Sequence, residues 1–115
     1  MSQDLQQRTY DFSLRVINLV KALPISAGSR HIADQLFRAG TSVAANYRAA
    51  KRGKSKKDFI AKLGIVLEEA DESHFWLSII IDTQLLKEDL VSPLLEEANE
   101  LTAIFTSSIK TAREQ

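Results

Sequence analysis

Asp71 and His74 stand three positions apart. On a helix that spacing puts a carboxylate and an imidazole on one face, as one arm of a carboxylate-bridged di-metal centre requires. Such a centre needs two of these arms and two further inward carboxylates. The only other histidine, His31, has no carboxylate at the matching spacing, so no metal site is expected. Glu68, Glu69, Asp71 and Glu72 form a second candidate, a run of carboxylates. Acid–base hydrolysis by paired carboxylates needs a fixed separation across a cleft and one acid whose pKa is raised by its pocket. A solvated helix face accounts for the same run. Ser42, Ser55 and Ser73 lack a positioned histidine and a nucleophile elbow. No glycine-rich phosphate loop is present, and the absence of cysteine removes thiolate nucleophiles, disulfides and thiolate metal sites together. The expectation is a chain that is not an enzyme and carries no cofactor.

The charge distribution is more informative. Lysine plus arginine and aspartate plus glutamate number 15 each, yet Arg48 to Lys62 carries seven basic residues and one acidic, net +6. Leu63 to Glu100 carries ten acidic and one basic, net −9. Arg48, Lys51, Arg52, Lys54, Lys56, Lys57 and Lys62 could contact phosphates, and such binding would weaken steeply with salt as counterions are released. No aromatic residue alternates with these cations, as a base-stacking platform would require. Two plainer roles compete with nucleic-acid contact. Cations in the last turn of a helix face the negative end of its dipole, and a charged loop stays soluble. The two opposite stretches also suit self-association, where complementary charge orients one copy on another.

The elements that carry these residues read as four amphipathic helices, at about 4–23, 29–52, 55–86 and 92–112, punctuated by Pro24 and Gly28, Gly53, and Pro93. Phe12, Val16, Leu19 or Val20, and Leu23 recur at spacings of three and four in the first. Ile32, Leu36, Ala39, Gly40, Val43, Tyr47 and Ala50 share a face of the second, where Ala33, Ala39, Gly40 and Ala44 keep the surface small enough for a close neighbour. The third opens with Ser55 and Asp58 spaced as a capping box. It runs on through Phe59, Leu63, Val66, Ala70, Ser73, Leu77, Ile80 and Gln84, near 32 residues and about 48 Å if continuous. Ser92–Pro93 reads as the cap and first position of the fourth, followed by Leu94, Ala98, Leu101, Phe105, Ser108 or Ile109, and Ala112.

The fold class expected is therefore all-α, a single antiparallel up-and-down four-helix bundle of 115 residues. On the wheel of the third helix Phe75 lies nearly opposite the seam, with Ile65 and Trp76 to one side. These three are the candidate oligomer contacts, since aromatics turned away from a single core need a second partner. Gln35, Ser42 and Asn46 along one edge of the second helix, with Glu69 on an edge of the third, could form a buried polar network setting register. Met1 to Arg8 is polar and no apolar run reaches a membrane span, so a cytoplasmic protein with no membrane contact is expected.

Three segments carry a family resemblance. They are Gln35-Leu36-Phe37-Arg38-Ala39-Gly40-Thr41-Ser42-Val43-Ala44-Ala45-Asn46-Tyr47-Arg48, then Ser55-Lys56-Lys57-Asp58-Phe59-Ile60-Ala61-Lys62-Leu63, then Glu68-Glu69-Ala70-Asp71-Glu72-Ser73-His74-Phe75-Trp76-Leu77. The chain resembles the four-helix bundle proteins encoded in intervening sequences of bacterial 23S ribosomal RNA genes, also labelled S23 ribosomal protein. The resemblance implies a short bundle that assembles as a ring-like homopentamer without an established biochemical activity. It further implies that Arg38, Asn46, Glu69 and Trp76 are characteristic positions; Arg38 and Glu72 are expected to join the polar network of Gln35, Ser42, Asn46 and Glu69. Related small bundles bind nucleic acid as accessory proteins to the reverse transcriptases of diversity-generating retroelements. Family members often carry an acidic residue after the arginine matching Arg48, whereas this chain has Ala49.

Overall fold

The computed structural model describes residues 4–115. Met1 to Gln3, the start of the polar N-terminal stretch, lie outside the described residues. Four helices follow one another: α1 (Leu5–Ala22), α2 (Ala27–Lys51), α3 (Lys56–Asp82) and α4 (Glu88–Glu114). The short turns between them force each helix to return against the one before, which makes an up-and-down antiparallel bundle about 46 Å long. α2 packs on α1 and α3, and α3 on α4, while α1, the shortest helix, meets α4 along a smaller seam.

The core is the set of apolar stripes turned inward. Phe12, Val16, Leu36, Val43, Leu63, Val66, Leu77, Ile80, Leu101 and Phe105 are all buried, and Tyr47 packs against Phe105 with ring centroids 5.5 Å apart. The polar groups inside are satisfied locally. Thr9 and Ser73 hydroxyls donate to the carbonyls of Leu5 and Glu69 one turn back, and the Ser13 hydroxyl crosses to the Gly40 carbonyl of α2 at 2.7 Å.

The helix ends differ from the sequence expectation in four places, each for a local reason. α2 begins at Ala27, two residues early, because Ser26 and Ser29 cap each other reciprocally and the Ser29 hydroxyl also donates to the Pro24 carbonyl. At α3 only half of the capping box forms. Ser55 Oγ accepts the Asp58 N–H at 3.1 Å, while the Asp58 carboxylate takes a backbone hydrogen bond from Lys54 and the ammonium of Lys62.

α3 stops at Asp82 instead of running to about Leu86. Gln84 adopts φ 59°, and the N–H groups of Gln84 and Leu85 turn back to the carbonyls of Ile81 and Ile80. That is a Schellman closure, here built on glutamine where glycine is the usual choice.

α4 begins at Glu88, four residues before Ser92, so Pro93 lies inside the helix and not at its first position. The extra turn carries Val91, which is fully buried, and burying a valine is worth about 2 kcal/mol. Pro93 is exposed in the second turn, and the nearby Ser92 hydroxyl donates to the Glu88 carbonyl at 2.7 Å.

Candidate functional site

Two surface regions gather the polar and aromatic residues singled out by the sequence. The first lies across α2 and α3. Arg38 projects from α2, where the 3.6-residue period leaves it off the Leu36/Ala39 core stripe, and its guanidinium reaches over to α3. One arm donates to Glu69 at 2.9 Å and the other to Glu72. The same Glu72 oxygen accepts the indole N–H of Trp76 at 3.1 Å. Hydrogen bonding to Glu72, followed by the charges of the two carboxylates, pushes the Arg38 pKa above its ordinary value, so the guanidinium stays charged.

Trp76 is thereby held at a set angle, and two rings lie edge-on to it. Phe75 has its centroid 4.9 Å away, and His31 of α2 is at 5.9 Å. Phe75 remains 54% exposed and Ile65, nearly three turns earlier on α3, 41% exposed.

The expected polar network divides into two parts. Arg38, Glu69 and Glu72 form the interhelical cluster just described, with Arg38 half exposed at the surface. Asn46 donates within α2 to the Ser42 carbonyl at 2.9 Å and the Ser42 hydroxyl at 2.8 Å. Gln35 joins neither part among the described residues.

The second region is the end of the bundle formed by the α2–α3 turn. Arg48, Lys51, Arg52, Lys54, Lys56 and Lys57 are exposed there. Lys62 is withdrawn from the set by its 2.8 Å ion pair with Asp58, whose carboxyl pKa is lowered first by that hydrogen bond. Two groups that the sequence reading passed over join this end. Lys110 and Arg113 of α4 rim a groove of about 490 Å³ whose floor includes Gly64, Leu67 and Ile109. Tyr10 of α1, 55% exposed, lines a groove of about 460 Å³ with Arg48 and Arg52. The available signal for Tyr10 was its position off the Phe12/Val16 stripe. Nothing local says that α1 sets it beside cations 38 and 42 residues later.

His74 and Asp71 remain without companions of the kind a metal needs. Among the described residues no three His, Cys, Asp or Glu side chains come together to hold an ion. No helix among them is long and apolar enough to cross a membrane.

A family model for the 23S rRNA-intervening sequence protein matches residues 1–107. A crystal structure of a protein with unknown function from the S23 ribosomal protein family of Bacteroides thetaiotaomicron superimposes with a TM-score of 0.83. The two are 31% identical, and the match covers 93% of this chain and 99% of that one. Among curated proteins nothing matches. With the four helices in the same arrangement and the family model spanning nearly the whole sequence, the chain belongs to the 23S rRNA-intervening sequence protein family.

Proposed function

We propose that this chain works as a self-assembling helical scaffold and not as a catalyst, and that copies meet through the aromatic face of α2 and α3. The observation that carries the reading is the fixed ring cluster. Phe75 is more than half exposed while packed on Trp76, and Trp76 is itself locked to Glu72 and through it to Arg38. A preorganised aromatic surface rimmed by a charged pair loses little conformational entropy when it is covered, which is the character of an interface anchor. Ile65, nearer the basic end of α3, is a second exposed apolar residue of that helix. The opposite net charges of Arg48–Lys62 and Leu63–Glu100 supply unlike patches, as closed rings require. The homopentamer belongs to this reading through the family resemblance.

Light scattering tests it. The expected mass is a multiple of the 12.9 kDa chain, five-fold if the ring is a pentamer. Phe75→Asp places a carboxylate in the covered surface and shifts the population to single chains, with helicity by circular dichroism retained. A mass of 12.9 kDa for the unaltered protein at high concentration sinks the proposal.

A second reading, contact with nucleic acid at the basic end, is supported by six exposed cations in the Arg48–Lys57 stretch and by Tyr10 beside two of them. Loss of binding in a triple Lys54→Glu, Lys56→Glu, Lys57→Glu variant, with wild-type affinity falling as salt rises, is its expected signature.

A further inference from the structure

The groove between the start of α1 and the end of α2 unites two things that the linear sequence keeps apart. Arg48 lies in the last turn of α2 and Arg52 is its C-cap, and neither is in an ion pair among the described residues. Apart from Ala44, the rest of the lining is polar or aromatic. Tyr10 presents an exposed ring, Gln6 and Gln7 present amides, and Ala44 leaves the wall low between the arginines and α1. One carboxylate lines it, Asp4, and that side chain is engaged in capping α1 through the Gln6 N–H. Gln7 is likewise turned onto Asp11 at 2.9 Å. The groups lining the groove without a side-chain hydrogen bond or ion pair among the described residues are thus the two guanidiniums, the phenol and the Gln6 amide, and of these the guanidiniums and the ring suit a nucleotide. Guanidiniums bind phosphate oxygens in a fork, and an exposed aromatic face stacks a base.

From this geometry we infer that the Tyr10–Arg48–Arg52 groove binds single-stranded nucleic acid, with a phosphodiester on the arginines and the adjoining base stacked on Tyr10. The inference rests on the second reading above and narrows it from a charged turn to a defined site. A volume of about 460 Å³ suits one nucleotide unit. A duplex cannot use the site fully, because its bases are already stacked and their faces are hidden. A strand can, and Lys51, Lys54, Lys56 and Lys57 are further exposed cations at the same end of the bundle.

Fluorescence anisotropy with a labelled oligothymidylate of about 12 nucleotides, within the usual range of single-strand sites, reads the inference directly. Tyr10→Ala is expected to weaken binding roughly ten-fold, and Tyr10→Trp to restore it, because stacking needs only a ring. The pair Arg48→Ala, Arg52→Ala is expected to weaken binding and to flatten the dependence of affinity on salt by roughly one to two lost phosphate contacts. Tyr10, Arg48 and Arg52 are all exposed, and circular dichroism verifies that each variant keeps its helices.

A duplex of the same length bound as tightly as the strand, or binding that survives both sets of variants while the lysine triple variant abolishes it, overturns the groove and leaves only the charged turn. A mononucleotide that competes as well as the oligonucleotide overturns the strand. Absence of binding to every probe at low salt overturns the underlying nucleic-acid reading itself.

Discussion

Gly40 of α2 backs directly onto Val16 of α1: a methyl group on Gly40 would come to 2.5 Å from one γ-carbon of Val16, 2.7 Å from the other and 2.8 Å from its β-carbon. The two helices approach this closely because one of them offers no side chain, and the Ser13 hydroxyl uses the proximity to reach the Gly40 carbonyl. Gly40→Ala therefore sets two effects against each other. Alanine is the better helix former by about 1 kcal/mol. The overlap involves all three atoms of a β-branched side chain with little rotameric freedom, and overpacking of that kind costs about 1 to 3 kcal/mol. The clash wins, so the variant is expected to unfold at lower denaturant than wild type. Combining it with Val16→Ala is expected to cost less than the sum of the two single changes, a coupling readable in a double-mutant cycle.

Gln84 closes α3 at φ 59°, a conformation that glycine adopts freely and other residues adopt at a cost. Gln84→Gly is expected to stabilise the protein by about 1 kcal/mol, net of the extra freedom glycine has when unfolded. The side chain is exposed and makes no hydrogen bond among the described residues, so little is lost with it. Thermal melts of the two proteins check the sign. A lower melting temperature for the glycine variant would show that the closure is not strained.

Pro93 removes one hydrogen bond from α4, and its ring presses toward the Asp89 carbonyl one turn back. Because Val91 and Leu94 on either side are buried, the helix forms through the proline despite that cost. Pro93→Ala is expected to stabilise by about 1 to 3 kcal/mol, seen as a higher denaturant midpoint at unchanged slope.

Asp58 contributes to the pH dependence of stability. The Lys62 ammonium and the Lys54 backbone N–H hold its pKa below the ordinary aspartate value of about 3.9. With the folded value lowered, the stabilisation is present above the unfolded value and is lost as pH falls through the folded one. A carboxyl-carbon NMR titration is expected to place its midpoint below that of an unpaired aspartate, and Lys62→Met is expected to raise it. Arg8, doubly hydrogen-bonded to Glu97 at 2.7 and 2.8 Å where α1 meets α4, has its pKa pushed up, so the guanidinium stays charged throughout that titration.

The four helices and most of their buried residues were legible in the sequence because the 3.6-residue period is local. Leu36, Val43 and Tyr47, or Leu63, Val66, Ala70 and Leu77, share a face whatever lies opposite. Gly40 was legible as a close-packing position for the same reason, since a glycine on a core stripe calls for a neighbour. The ends of α3 and α4 were not. Gln84 carries no glycine signal for a left-handed closure, and the Ser92–Pro93 pair imitates a helix start. The burial of Val91 outweighs that local preference, and burial is decided by the rest of the bundle.

The surface sites divide in the same way. The basic run and the outward position of Phe75 follow from order along the chain and the helical period. That Arg38 spans from α2 to two carboxylates of α3, and that Tyr10 stands beside Arg48 and Arg52, depends on how far each helix is shifted and rotated against its neighbour. That registry is set by contacts such as Gly40 on Val16, between residues 24 positions apart, which no local pattern encodes.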